Sequence, residues 1–233
     1  MRKTLFILLL LLGCTSDEPS HPISHPTLAR HAYFASYDGQ HKQPSWVYER
    51  LTATTLQGDV ERDSFSFVED PNLPKSLRSS NADYKGSSFD RGHLCPAGNA
   101  HGSSEAMAET FYLSNISPQV PSLNRGLWRK LETHVRGLTQ KYPVLHVYTG
   151  PLYLSYKDKD GKRYVKYQVI GDNEVAVPTH YFKAIFIQGH ISMKFIEGYI
   201  VPNQTIEADQ TFDKFKASVE KIERSAGLVF SSR

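Results

Sequence analysis

Apolar positions along the chain alternate with polar ones in several short stretches and follow a helical spacing in two longer ones. Residues 32–36 and 45–51 are rich in aromatic and β-branched side chains around a turn containing Gly39 and Pro44, and they predict two strands. Residues 111–113, 144–148, 163–170, 180–187 and 192–200 continue that pattern, and Asp160-Gly161 marks a hairpin turn before the third of these. Leu127, Leu131, Val135 and Leu138 recur every three or four residues, which predicts a helix opened by Ser122 as N-cap and running to about Tyr142. Phe212, Phe215, Val219 and Ile222 predict a last helix over 210–224, ended near Gly227. Residues 69–86 carry many polar, Pro and Gly positions and predict a long loop, a feature uncommon unless functional. Strands outnumber helices and cluster in meanders, so the expected class is α+β with an antiparallel sheet.

The ends of the chain change this picture. Arg2 and Lys3 precede an apolar run, Leu5 to Leu12, and Gly13-Cys14 follows. The run falls short of the roughly 20 residues a spanning helix needs, so residues 1–14 read as a signal peptide. Leu11-Leu12-Gly13-Cys14 resembles a bacterial lipoprotein box, so the expectation is export to the periplasm or a lipid anchor at Cys14, with plain secretion as the alternative. Residues 15–27 are rich in Ser, Pro and His and predict a flexible tether, with the globular domain over 28–233. His21, His25 and His31 read as solvated linker rather than metal ligands, because the intervening prolines give them no common face. Net charge is only +3 in 233 residues, so any surface for a polyanion must be local. Only Cys14 and Cys95 occur, which leaves the domain without an internal disulfide.

The densest polar cluster is Asp90-Arg91-Gly92-His93, followed by Asn99. Histidine titrates nearest neutrality and can take a proton from water. A lone His after Gly is also commonly structural. Asn124 and Glu132 stand eight residues apart on the predicted helix, a little over two turns, so both project to nearly one side with Trp128 between them. Their oxygens suit a hard cation such as magnesium. From spacing alone, an N-terminal cap and a surface salt bridge fit as well.

Longer stretches carry a resemblance. Phe89-Asp90-Arg91-Gly92-His93-Leu94, then the run Phe111 to Gln119, then Leu123-Asn124-Arg125-Gly126-Leu127-Trp128 and Leu131-Glu132 resemble the signature of the DNA/RNA non-specific endonucleases. Asn81-Ala82-Asp83-Tyr84, residues 164–171 and 175–180 and the run 222–228 are most similar to that family's endonuclease G branch. The resemblance covers residue 32 to the C-terminus and implies a ββα-metal (His-Me finger) fold, with a central antiparallel sheet flanked by helices. It implies a sequence-nonspecific endonuclease on DNA and RNA. His93 would be the general base, Asn124 the protein ligand of a hydrated Mg2+ (Mn2+ as substitute), and Glu132 a holder of the ion's water. Arg91 and Arg62 would contact phosphate, Asp90 would orient the loop, and a homodimer is implied. Cys95-Pro96 departs from the branch's alanines, and Cys95 reads as a buried side chain before a reactive thiol. A binding module without catalysis would lack reason to keep base, metal ligand and acid together. A zinc hydrolase finds no Cys-x-x-Cys pair in the chain, and the His21-x-x-x-His25 spacing falls in the tether already read as solvated linker.

Overall fold

A computed structural model describes residues 25–189, 192–207 and 209–230. The leader, the lipobox-like Cys14 and most of the tether therefore lie outside the described residues. Strands β1 (Thr27–Ala29), β2 (Phe34–Asp38) and β3 (Gln43–Leu51) come first, followed by a short helix α1 (Asn81–Tyr84) and strand β4 (Asp90–His93). Helix α2 (Ser104–Thr110) and strand β5 (Ile116–Gln119) precede helix α3 (Arg129–Leu138) and the long strand β6 (Leu145–Leu152). Four two-residue strands follow, β7 (Tyr156–Lys157), β8 (Arg163–Tyr164), β9 (Val169–Ile170) and β10 (Val175–Ala176). Strands β11 (His180–Gln188) and β12 (Met193–Pro202) and helix α4 (Val219–Ala226) complete the chain. The main sheet has the order β1-β2-β3-β6-β11-β12, antiparallel throughout.

Alternate residues of the central strands face opposite sides of this sheet. Val47, Glu49 and Leu51 on β3, Val147 and Thr149 on β6, and Tyr181, Lys183 and Ile185 on β11 are all covered on the inner face. Trp128, Leu131 and Val135 pack into the same core. On the outer face Phe182, Ala184 and Phe186 meet Ile222 of α4 and Phe230. The small β4–β5 hairpin, with His93 opposite Ile116, is tied to the main sheet by Ser117. Its hydroxyl donates to Gln43 Oε1 at 2.5 Å and lies 2.7 Å from the Tyr181 hydroxyl, which donates to the Pro118 carbonyl at 2.8 Å.

Five local expectations change. Residues 111–113 are not a strand: helix α2, capped by Ser103, ends at Thr110 and the strand begins only at Ile116. The loop at 69–86 contains α1, closed by a reciprocal capping box of Ser80 and Asp83. Residues 163–170 split into β8 and β9, which pair with different partners, because residues 156–169 are exposed throughout and bury no face that would hold one strand straight. Ser122 does not cap the long helix. It already has helical angles, and the chain turns wide over Leu123–Trp128 with a break at Gly126 (φ −104°, ψ −106°) before α3. The stripe at 210–224 serves two cores: Phe212 and Phe215 pack on the inner one and Val219 and Ile222 on the outer, so it breaks into a turn and α4. The Gly227 stop is present, in the left-handed region at φ 65°. So is the Asp160-Gly161 turn between β7 and β8, with Gly161 at φ 80°.

Candidate active site

Strand β4 delivers His93 to the wall of an open cleft of about 460 Å³. Its ring stands between Phe67 and Phe111, with centroids 5.3 and 5.0 Å away, and its Nε2 is buried without a hydrogen-bond partner. The loop after it is latched by Asn115, a fully buried residue. Asn115 Oδ1 accepts from the Cys95 amide at 2.9 Å, and its Nδ2 donates to the Cys95 and Thr110 carbonyls, each at 2.9 Å. Gly92 is required by contact: a Cβ there would lie 2.2 Å from Gln119 Oε1. Burial, helped by the Arg62 charge, pushes the His93 imidazole down to about 3, so it is a neutral base at physiological pH.

The second wall is the helix. Asn124 is half-buried, and its Nδ2 donates to Asp90 Oδ2 at 2.9 Å. Asp90 also receives Arg125, at 2.8 Å from Nε and 2.5 Å from Nη2. Burial works against its charge, but these hydrogen bonds hold the Asp90 carboxyl below its usual range. Glu132 lines the same cleft, and burial raises its carboxyl to about 7 against the pull of Lys183 and Arg136. Asn124 and Glu132 thus share a side, as their spacing suggested, but Trp128 does not. It is 1% exposed and turned into the core against Tyr181, because the wide turn at Gly126 rotates it away.

All five residues singled out in the sequence, His93, Arg91, Glu132, Arg62 and Asn124, line this one cleft. Arg91 lies 4.5 Å above the Phe67 ring and donates to Asn81 Oδ1 at 2.5 Å. Arg62 lies 5.8 Å above Phe111. Sequence reasoning missed Arg136, which faces the cleft four residues after Glu132, together with Arg125 and Arg129. The helical spacing from Glu132 was the signal that could have found it. It also missed the latch of Asn115. Asn99 is buried and its Nδ2 donates inward to Glu49 Oε1. Cys95 is fully buried, and burial pushes its thiol up. Five arginines against two carboxylates make the cleft strongly positive although the chain as a whole is not.

A buried neutral histidine, an amide and an acid line one basic cleft, an arrangement suited to hydrolysing phosphodiesters. Comparison with known proteins agrees. The sequence model of the DNA/RNA non-specific endonucleases matches residues 16–233, and the chain belongs to that family. It is 44% identical to human mitochondrial endonuclease G over 202 residues, 87% of this chain and 68% of that protein. It is 45% identical to nuclease C1 of Cunninghamella echinulata var. echinulata over 206 residues, 87% of this chain and 81% of that protein. A solved structure of EndoG in complex with EndoGI superposes with a TM-score of 0.84 at 44% identity, covering 88% of this chain and 84% of that one. Within the family the chain falls in the endonuclease G branch, and it is a sequence-nonspecific endonuclease of nucleic acids with the ββα-metal fold. Enzymes of this family depend on a metal ion.

One expectation is overturned by the same relatives. Endonuclease G of human, Bos taurus and Caenorhabditis elegans and the EXOG nuclease of Xenopus laevis are mitochondrial proteins, pointing away from a bacterial periplasmic, membrane-anchored or secreted lipoprotein. Nothing in the comparisons supports a signal peptide or a lipid on Cys14.

Proposed function

We propose that cleavage occurs in this cleft with His93 as the general base. Its buried Nε2 leaves Nδ1 to meet a water, and a ring that stays neutral needs no prior loss of a proton. Asn124 is the metal ligand: its nitrogen is committed to Asp90, so its oxygen is the atom free to bind. Among the described residues no group of three or more His, Cys, Asp or Glu could hold a metal, which suits an ion bound mostly through water, as Mg2+ prefers. Mn2+ would serve in its place. When bound, such an ion would supply charge stabilisation to the phosphodiester as it is cleaved. Glu132, once ionised, would accept hydrogen bonds from water on such an ion, and Asp90 holds Asn124 in register. Arg62, Arg91 and Arg136 bind phosphate oxygens, where a planar guanidinium makes paired hydrogen bonds.

The observation that carries this reading is the convergence of His93 and Asn124, from a strand and a helix, on one basic cleft with Glu132. Asn124→Ala tests it. Losing the protein's ligand removes several kcal/mol of charge stabilisation, so Mg2+-supported cleavage should fall roughly a hundredfold or more. An Asn124→Ala enzyme with the parent's activity and metal requirement would sink the assignment.

The nuclease domain is residues 28–233, working on DNA and RNA as a homodimer. Support for the dimer comes from the exposed segment 156–169, which carries Tyr156, Tyr164, Val165, Tyr167 and Val169, each at least 38% exposed. Sedimentation equilibrium should return twice the chain mass; a single-chain mass at micromolar concentration would refute it.

A further inference from the structure

Two charges sit in the core behind the cleft. Glu49 on β3 and Lys183 on β11 are each 1% exposed, on the inner face of the sheet beside Val47, Val147 and Ile185. Opposite charges buried near one another are weak evidence for stability, because removing ions from water offsets their attraction. Following the hydrogen bonds outward gives the pair another use. Glu49 Oε1 accepts from Asn99 Nδ2 at 2.7 Å and from Cys95 Sγ at 3.4 Å. Asn99 Oδ1 accepts from Arg136 Nη1 at 3.2 Å, and Arg136 Nη2 donates to Thr133 Oγ1 at 3.0 Å. Arg136 opens on the cleft.

An asparagine amide has a donating end and an accepting end, and by itself can lie either way round. Glu49 Oε1 serves as acceptor to both Cys95 and Asn99, so it draws the Asn99 nitrogen inward. The oxygen must then face Arg136, which only donates. With Glu49 removed, the amide is free to turn its NH2 toward the guanidinium and push it off. Lys183, 2.5 Å from Thr149 Oγ1 and 5.2 Å from the Trp128 ring, pulls against the burial that raises the Glu49 carboxyl.

We propose that Glu49 is a positioning residue for the nuclease reaction, orienting the Asn99 amide from within the core and through it aiming Arg136 at a phosphate in the cleft. This rests on Arg136 binding phosphate, as read above.

The test is a double-mutant cycle on kcat/KM for duplex DNA, with thermal unfolding to show that each variant is folded. Glu49→Leu/Lys183→Met removes both core charges together, so neither is stranded. Asn99→Leu breaks the chain in the middle and leaves Glu49 and Lys183 in place, so it reads the same relay should the first variant not fold. Either change should lower kcat/KM by the factor that Arg136→Ala does, roughly ten- to a hundredfold for the loss of a charged hydrogen bond. Added to Arg136→Ala, neither should lower it further. The slope of log affinity against log salt should also drop by about one, the signature of one lost phosphate contact. A parent rate in folded Asn99→Leu, or losses that multiply with Arg136→Ala, would overturn the relay and leave the role of Arg136 standing. A parent rate in Arg136→Ala itself would overturn both.

Discussion

His93 and Glu132 face one cleft with pKa values pushed apart, one down to about 3 and the other up to about 7. Such a split assigns roles. A histidine with a depressed pKa is already a base throughout the neutral range, so it cannot set the acid limb of the pH profile. A carboxyl with a raised pKa is protonated and uncharged below that value, and accepts hydrogen bonds fully only above it. Activity should therefore rise with pH through about 7 as Glu132 loses its proton, and a bound cation would move that rise lower. Glu132→Gln should cut kcat roughly ten- to a hundredfold, the range for a group that supports a metal from behind its water, and should flatten the limb. A limb that persists unchanged in Glu132→Gln would show that another group titrates there.

At the scale of elements, the β4–β5 hairpin and the start of α3 decide the geometry. Gly92 packs directly on the Gln119 side chain, so in Gly92→Ala either that side chain or the strand that carries His93 must move. Overpacking of this kind costs about 1–3 kcal/mol, to be read from urea denaturation, together with reduced cleavage. A variant as stable and as active as the parent would mean the hairpin tolerates the shift. The sequence made the α3 stripe readable because Leu127, Leu131 and Val135 all meet the inner core. It could not show the wide turn at Gly126, since nothing in an apolar spacing distinguishes a normal turn from a loosened one. Nor could it show why 210–224 breaks. That stripe is continuous in sequence but is divided between two cores on opposite faces of the sheet, a fact of tertiary packing. Site residues followed the same division. His93, Asn124 and Glu132 were legible because their motifs carry a chemical role, whereas Asn115, though inside the run Phe111 to Gln119, and Arg136 act through partners that only folding brings close.

The whole molecule is a six-stranded antiparallel sheet with its chemistry on one face, which the meandering strands and the family motif foreshadowed as α+β. Net charge of +3 gave little warning of a cleft lined by five arginines. Binding should accordingly be local and governed by phosphate contacts: affinity for DNA should fall steeply with salt and depend little on base sequence. Strong selectivity among random duplexes would contradict a cleft built this way. The central claim, a neutral histidine base working beside a metal held by Asn124, meets its most direct test in one assay. Plasmid DNA is incubated with the purified protein and with His93→Ala, each with Mg2+ and with EDTA, and cleavage rates are compared. The account predicts rapid nicking only by the parent with Mg2+, and at least about a hundredfold less by His93→Ala despite an unchanged melting temperature. Cleavage by His93→Ala at the parent rate, or by the parent in EDTA, would contradict it.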